Sequence, residues 1–308
     1  VARRRRGREV HGWLVLDKPA GLSSAQAVNR VQRVFDARKA GHGGTLDPAA
    51  EGVLPIALGE ATKTVGFVMD RTKEYVFRVR WGESRATDDA EGEVTGRSEK
   101  RPEAGEIRAV LRRFTGEIAQ VPPAFSAIKL QGRRAYALAR KGETPELAPR
   151  TVQVEALELL DTVGAESADF RVRCGKGTYV RSLARDIAVA LGTLGYVEYL
   201  RRTATGGFGE KHAISLEKLE TFRHSAAAFE HLLPVETALD DILALAVTGD
   251  EADRVKCGQS LTVPDITTTA GRDALSEGRT LRLMCGDRLI AIAEIREGQV
   301  RPVRVMNY

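Results

Sequence analysis

The segment Gly41-His42-Gly43-Gly44-Thr45-Leu46-Asp47-Pro48 gathers the residue types most able to do chemistry. Three glycines within four residues let a backbone approach a ligand closely. Asp47 stands before a proline, which biases it towards an extended conformation. A carboxylate held on such a loop can serve as a catalytic group. By residue type alone, an ordinary Asp-Pro turn explains the segment at least as well. The loop is not a P-loop, because the Gly-Lys-Ser/Thr ending is absent. No Asp-x-Asp metal motif accompanies Asp47, which weighs against a hydrolase with an aspartate nucleophile.

The flanking sequence predicts elements that would position this loop. Gly12 to Leu16 reads as a strand that ends in the turn Asp17-Lys18-Pro19-Ala20-Gly21. Ser23 can cap a following helix with Gln26 closing a capping box, and Ala27, Val31 and Phe35 recur at helical spacing. Residues 39–52 read as loop, Leu54 to Leu58 as a buried strand, and Glu60 to Met69 as helix. Tyr75 to Trp81 alternates apolar and basic residues, the mark of a half-buried strand. Residues 84–105 read as a polar loop, followed by a helix through Val110 and Leu111. Residues 121–150 lack a clear period and read as a surface excursion. Val152 to Leu160 and Ala168 to Cys174 suggest an antiparallel pair, and Tyr179 to Leu191 an amphipathic helix. Residues 209–240 are polar and mixed. Beyond about residue 245 the pattern turns to short strands with glycine turns, Thr280–Met284, Leu289–Ile295 and Val300–Val305, which suggests a small β-rich appended domain.

Composition narrows the class. With 43% hydrophobic and 29% charged residues, the 308-residue chain reads as globular. No apolar run approaches a membrane span. Gly12 to Leu16 is too short for the core of a signal peptide. Cys174, Cys257 and Cys285 are far apart and fit a reducing compartment, so the expected location is cytoplasmic. The five scattered histidines show no zinc spacing, so no metal is expected. The net charge of +5 is spread over three basic regions: Arg3 to Arg6 with Arg8; Lys129, Arg133, Arg134, Arg140, Lys141 and Arg150; and Arg171, Arg173, Lys176 and Arg181. Each alone reads as a solvated face; together they favour a polyanionic partner.

The motifs around the loop carry a family resemblance. GHGGTLDPAAEGVLPIALGEATK resembles the catalytic signature of the bacterial tRNA pseudouridine-55 synthases, the TruB family. Leu16-Asp17-Lys18-Pro19-Ala20-Gly21, Lys73-Glu74-Tyr75, Gly175-Lys-Gly-Thr-Tyr-Val-Arg-Ser-Leu183 and Leu200-Arg-Arg-Thr203 resemble its other signatures, in family order. Val121-Pro-Pro-Ala-Phe-Ser-Ala-Ile-Lys129, Gly132-Arg-Arg-Ala-Tyr136 and Ala139-Arg-Lys-Gly142 are similar to its RNA-gripping insertion. The tail resembles, more weakly, a PUA-type RNA-binding domain.

This resemblance implies an α+β fold: a mixed, mostly antiparallel sheet with flanking helices and a central cleft, plus a β-barrel-like C-terminal domain. The implied organisation is a basic arm over 1–9, a catalytic domain over 10–240 with its insertion at about 121–150, and a PUA-like domain over 245–308. The implied reaction turns a T-arm uridine of tRNA into pseudouridine. The bond from C1′ to N1 breaks, the base rotates, and C1′ bonds to C5. Nothing is oxidised and no group is donated, so no cofactor is expected. Asp47 would attack C1′ or remove a proton from C2′. Arg181 would stand beside it, since a nearby cation favours the carboxylate. Glycosidases usually set two carboxylates across the bond; an arginine partner points away from hydrolysis. The base must leave its stack to be reached. Tyr75 would stack on it, His42 would fill the space vacated in the RNA, Tyr179 would order the arginine, and Leu200 would form an apolar wall. Lys18 would support the loop from below. Lys129, Arg133, Arg134, Arg140 and Lys141 would meet phosphates. The resemblance also implies a monomer that needs no protein partner. An RNA-guided synthase and a tRNA-folding chaperone are the competing readings.

Overall fold

Lys73–Trp81 buries Phe77, Val79 and Trp81 at alternate positions, and this period of two sets the face on which the larger core is built. The computed structural model describes residues 7–126, 129–130, 133–134, 147–223, 225–262 and 276–308. The first half of the chain runs β1 (Gly12–Lys18), α1 (Ser24–Phe35), β2 (Ala40–His42), β3 (Glu51–Leu58), α2 (Val65–Asp70) and β4 (Lys73–Trp81). It continues with β5 (Glu83–Arg85), β6 (Val94–Arg97), α3 (Ala104–Leu111), β7 (Gly116–Gln120), β8 (Lys129–Leu130) and β9 (Arg133–Arg134). Then come β10 (Arg150–Val163), β11 (Ser167–Cys174), α4 (Val180–Ala190), β12 (Gly195–Thr205), β13 (Phe208–Gly209), β14 (Ile214–Ser215) and α5 (Leu216–Thr221). The C-terminal part holds β15 (Leu243–Ala246), α6 (Gly249–Lys256), β16 (Leu261–Thr262), β17 (Thr280–Cys285), β18 (Arg288–Arg296) and β19 (Gln299–Val305).

The large sheet has the order β14-β1-β3-β12-β4-β11-β10-β7, with β2 beside β3 and β13 beside β12. β1/β14 and β3/β12 are parallel and the other pairs antiparallel, so the sheet is mixed and mostly antiparallel, as expected. One face carries two groups of helices. α1 covers Leu14, Leu16, Leu54 and Ile56. α3 and α4 cover Phe77, Val79, Phe170 and Val172. Tyr75 and Leu200 pack against both clusters and mark the seam between them. The opposite face of β1 and β3 presents Trp13, Val15, Val53 and Ala57 to Val235, Leu239, Leu289, Ile292 and Met306. A second sheet, β15-β17-β18-β19-β16, therefore braces the first from behind.

Several elements differ from the sequence reading. Residues 195–205 show no predicted element, because Arg201 and Arg202 break the apolar pattern that identifies a strand, yet they form β12 at the sheet centre. The expected loop over 39–52 begins as the short β2 and ends in β3. The expected polar loop over 84–105 contains the β5–β6 hairpin. Its charged residues show no alternation but pair with each other, Glu83 with Arg85 and Arg97. The helix expected over Glu60 to Met69 divides into a 3₁₀ turn at Gly59–Lys63 and α2. No described helix is long and apolar enough to cross a membrane.

Phe170 is fully buried, stacked on Phe77 at 5.2 Å and edge-on to Trp81 at 6.2 Å. Phe170→Ala should lower unfolding stability by about 3–5 kcal/mol, read by urea denaturation.

Candidate active site

The loop bearing Asp47 lies where the neighbours of β3 diverge. β2 pairs with Ile56 to Leu58, and β12 pairs with Glu51 and Gly52. Between them the ladder on that side is open. Arg202 Nε donates to Val53 O at 2.7 Å and the Gly43 amide donates to Pro55 O at 2.8 Å, filling the gap. Arg202 also donates from Nη2 to Gly44 O at 3.1 Å and from Nη1 to Thr45 O at 3.3 Å. Lys18, at the end of β1, donates to Pro19 O and Leu22 O at 2.8 Å each and to Pro48 O at 3.2 Å. Ser24 exchanges two hydrogen bonds with the Leu46 backbone, at 2.8 and 2.9 Å. The glycines are spatial requirements. A Cβ on Gly43 would lie 2.7 Å from Val68 Cγ1, and one on Gly52 would lie 2.3 Å from Arg202 O, with Gly52 at φ +97°.

Asp47 emerges from this cradle half-exposed and meets Arg181, which is buried: Arg181 Nε lies 2.9 Å from Asp47 Oδ2. The contact is ionic rather than a well-aligned hydrogen bond. Arg181 projects from the first turn of α4. Its Nη1 donates to Thr87 O at 2.9 Å and lies 3.6 Å from Asp89 Oδ2, and its Nη2 donates to Phe125 O at 3.0 Å. Tyr179 precedes α4. Its N–H donates to Gln120 Oε1 at 2.8 Å and its carbonyl accepts from Gln120 Nε2 at 3.1 Å, which fixes the start of that helix.

On β4 and β12, Arg202 stands opposite Tyr75 and Leu200 opposite Phe77, so the four side chains share the face beneath Asp47. Burial raises the Tyr75 hydroxyl above its ordinary value, so it is a neutral donor. Tyr179 is raised by burial too. His42, at the end of β2, is lowered by burial and then by the Arg202 charge, so its ring is neutral near pH 7. Its Nδ1 is buried with no hydrogen-bond partner among the described residues.

The structure thus brings together Asp47, Arg181, Tyr75, Tyr179, Leu200, His42 and Lys18. Lys129, Arg133 and Arg134 lie on paired short strands, Lys129 opposite Arg134. Arg140 and Lys141 lie outside the described residues. The third basic region does not form an open cationic face. Arg171, Arg173 and Lys176 face Glu158, Glu155 and Asp70 at 3.7, 2.9 and 2.9 Å, and Arg181 is buried. The sequence reading missed Arg202, Ser24 and Asp89 as residues that hold the site. Arg202 stood in the Leu200-Arg-Arg-Thr203 motif, but nothing local says that an arginine there is only 1% exposed.

Most of these positions, Lys18 and Ser24 excepted, fall within residues that match known family models. The description "TruB family pseudouridylate synthase (N terminal domain)" matches residues 32–180, and "tRNA pseudouridylate synthase B C-terminal domain" matches residues 181–240. The protein named tRNA pseudouridine synthase B of Rhodospirillum rubrum is 50% identical, covering 100% of both chains. That of Caulobacter vibrioides is 52% identical, covering 100% of this chain and 99% of its own. The chain belongs to the TruB family. Among solved structures, the Cbf5-Nop10-Gar1 complex contains a chain of similar fold, with a TM-score of 0.73 and 28% identity over 96% of this chain and 84% of the other. An H/ACA ribonucleoprotein bound to a substrate RNA containing 2′-deoxyuridine shares the fold at a TM-score of 0.74 and 24% identity, over 100% and 92% of the two chains.

Lys18 is fully buried, and burial pulls its ammonium down to about 8. The unfolded chain binds that proton more tightly, so the cost of burying the charge is complete below pH 8 and is relieved between about 8 and 10.5. Over that window the unfolding free energy of wild type relative to Lys18→Met should rise by on the order of 2–3 kcal/mol. Urea titrations at pH 7.5 and 10 check it; a constant difference would contradict the burial of this charge.

Proposed function

We propose that this tRNA pseudouridine synthase isomerises the T-arm uridine at tRNA position 55, with Asp47 as the essential carboxylate and no cofactor. The observation that carries the reading is the Asp47–Arg181 pair at 2.9 Å over the seam occupied by Tyr75 and Leu200. A half-exposed carboxylate on a stiff loop can reach a ribose, while the buried guanidinium balances its charge. Asp47 acts at the sugar, by attack at C1′ or proton removal at C2′. Tyr75 stacks on the flipped uracil, and its neutral hydroxyl lies near the C5 proton that must depart. Leu200 walls the base, which keeps water from the detached ring. His42, neutral, occupies the space the base leaves. Tyr179 orders Arg181, and Lys18 holds the loop from below.

Lys129, Arg133, Arg134, Arg140 and Lys141 of the insertion over 121–150 meet phosphates of the T arm. The C-terminal sheet over 245–308 is a PUA-like RNA-binding domain, residues 10–240 form the catalytic domain and residues 1–9 a basic arm. The enzyme works as a cytoplasmic monomer without a guide ribonucleoprotein. Identities of 50–52% to proteins named tRNA pseudouridine synthase B, against 28% to the matching chain of the Cbf5-Nop10-Gar1 complex, favour that reading over the RNA-guided one.

Wild type alone should release tritium from a tRNA transcript labelled at uridine C5, from one T-arm position. Asp47→Asn should bind the transcript normally and lower release by at least about 10³-fold, as expected when an essential group is lost. Binding without release by wild type would favour an RNA-guided enzyme or the chaperone. Removing charge at Arg133 and Arg134 should weaken tRNA binding and flatten its salt dependence by about two units of log–log slope. Unchanged affinity at low salt would remove these contacts.

A further inference from the structure

α1 joins the catalytic loop to a second feature of the same face. Its first residue, Ser24, holds Leu46. Its far end, 12 residues on and about 18 Å away, borders a cavity of about 280 Å³. Arg8, Arg33 and Arg223 line this cavity together with Asp36 and Phe229. The three arginines come from the N-terminal segment, the last turn of α1, and the turn after α5. Among the described residues none of the three carries an ion pair, whereas the neighbouring Arg30 and Arg38 are paired to Glu220 and Glu9. Arg8 is held over the Phe229 ring at 5.1 Å, and its backbone N–H donates to Asp36 O at 2.6 Å. Asp36 lines the cavity and Glu220, ion-paired with Arg30, also feels the charges of Arg33 and Arg223, so two carboxylates stand against four arginines and the cavity keeps a cationic excess. Exposed arginines converging on one concavity, outnumbering the carboxylates around them and making no direct ion pair among the described residues, suit an anion with several acceptor oxygens.

We infer that this cavity binds a backbone phosphate of the tRNA outside the T arm. The inference rests on the tRNA reading above. Sheet order supplies the direction. The insertion assigned to the T arm leaves the sheet between β7 and β10, at one edge, while α1 lies over β1 and β3, towards the other edge. The reacting uridine lies between them. RNA gripped by the insertion and entering the seam therefore continues over α1, where a phosphate contact would orient the rest of the molecule without reading its sequence.

The test uses the full chain carrying Arg33→Gln and Arg223→Gln, two exposed positions whose replacement leaves the core intact. Binding to full-length tRNA and to an isolated T-arm hairpin is measured by filter retention across a salt series. Tritium release from the hairpin is followed in parallel. Affinity for full-length tRNA should fall about tenfold at 0.1 M salt, with the log–log salt slope flattened by about one unit. Hairpin affinity and tritium release from it should be unchanged, and Arg33→Lys with Arg223→Lys should restore the slope. Unchanged tRNA affinity at low salt would overturn the site. Equal losses on tRNA and hairpin would overturn its assignment to RNA outside the T arm. If wild type releases no tritium from the hairpin, the proposed reaction fails, while the difference between the two RNAs still reads the cavity.

Discussion

Three buried cations hold the main chain around Asp47. Lys18, Arg181 and Arg202 are each 5% exposed or less, and each donates to main-chain carbonyl oxygens around the site. Pro19, Leu22 and Pro48 face Lys18; Gly44, Thr45 and Val53 face Arg202; Thr87 and Phe125 face Arg181. A buried carbonyl left without a donor costs about 1–3 kcal/mol. A glycine-rich loop crossing a gap in a sheet would leave several. The cations meet that need, and the loop in return supplies oxygens that make burial of the charges tolerable. Each side of the arrangement requires the other, which fixes the loop in one geometry.

The rest of the fold converges on this arrangement. β1 delivers Lys18, β12 delivers Arg202 and α4 delivers Arg181. The hairpin turn between β5 and β6 contributes Thr87 and Asp89, and residues 121–126 contribute Phe125. Two helical caps on one face leave a seam, and the seam is where Tyr75 and Leu200 reach the surface of the sheet. A carboxylate above an apolar floor, with its counter-charge buried at its side, suits chemistry on a neutral base that must be detached and rotated without water entering.

The C-terminal sheet serves this site indirectly. Leu289, Ile292 and Met306 close the back of β1 and β3 against Trp13 and Val15. Lys63 Nζ donates to Val305 O at 2.7 Å and the Asn307 N–H donates to Glu60 Oε2 at 2.7 Å, which ties the last residues to the turn after β3. The strands that carry Lys18 and border the Asp47 loop are thus packed on both faces.

The sequence by itself determined the elements with clean periodicity and singled out the polar residues that the fold gathers around Asp47. The capping box Ser23–Gln26, the alternation of Tyr75 to Trp81, the amphipathic run after Tyr179 and the motif around Asp47 are local signals, read over a few neighbours. Only the tertiary structure decided which of the cationic residues are buried structural partners and which are open. Arg181 and Arg202 lie inside while Arg33 and Arg223 lie outside, and nothing in the short-range pattern separates them. It also decided that residues 195–205 form a central strand and that Arg171, Arg173 and Lys176 are matched by carboxylates brought from elsewhere in the chain. The reason is physical: periodicity reports the side of an element that turns inward, whereas the burial and pairing of a charge depend on partners that only folding brings within reach.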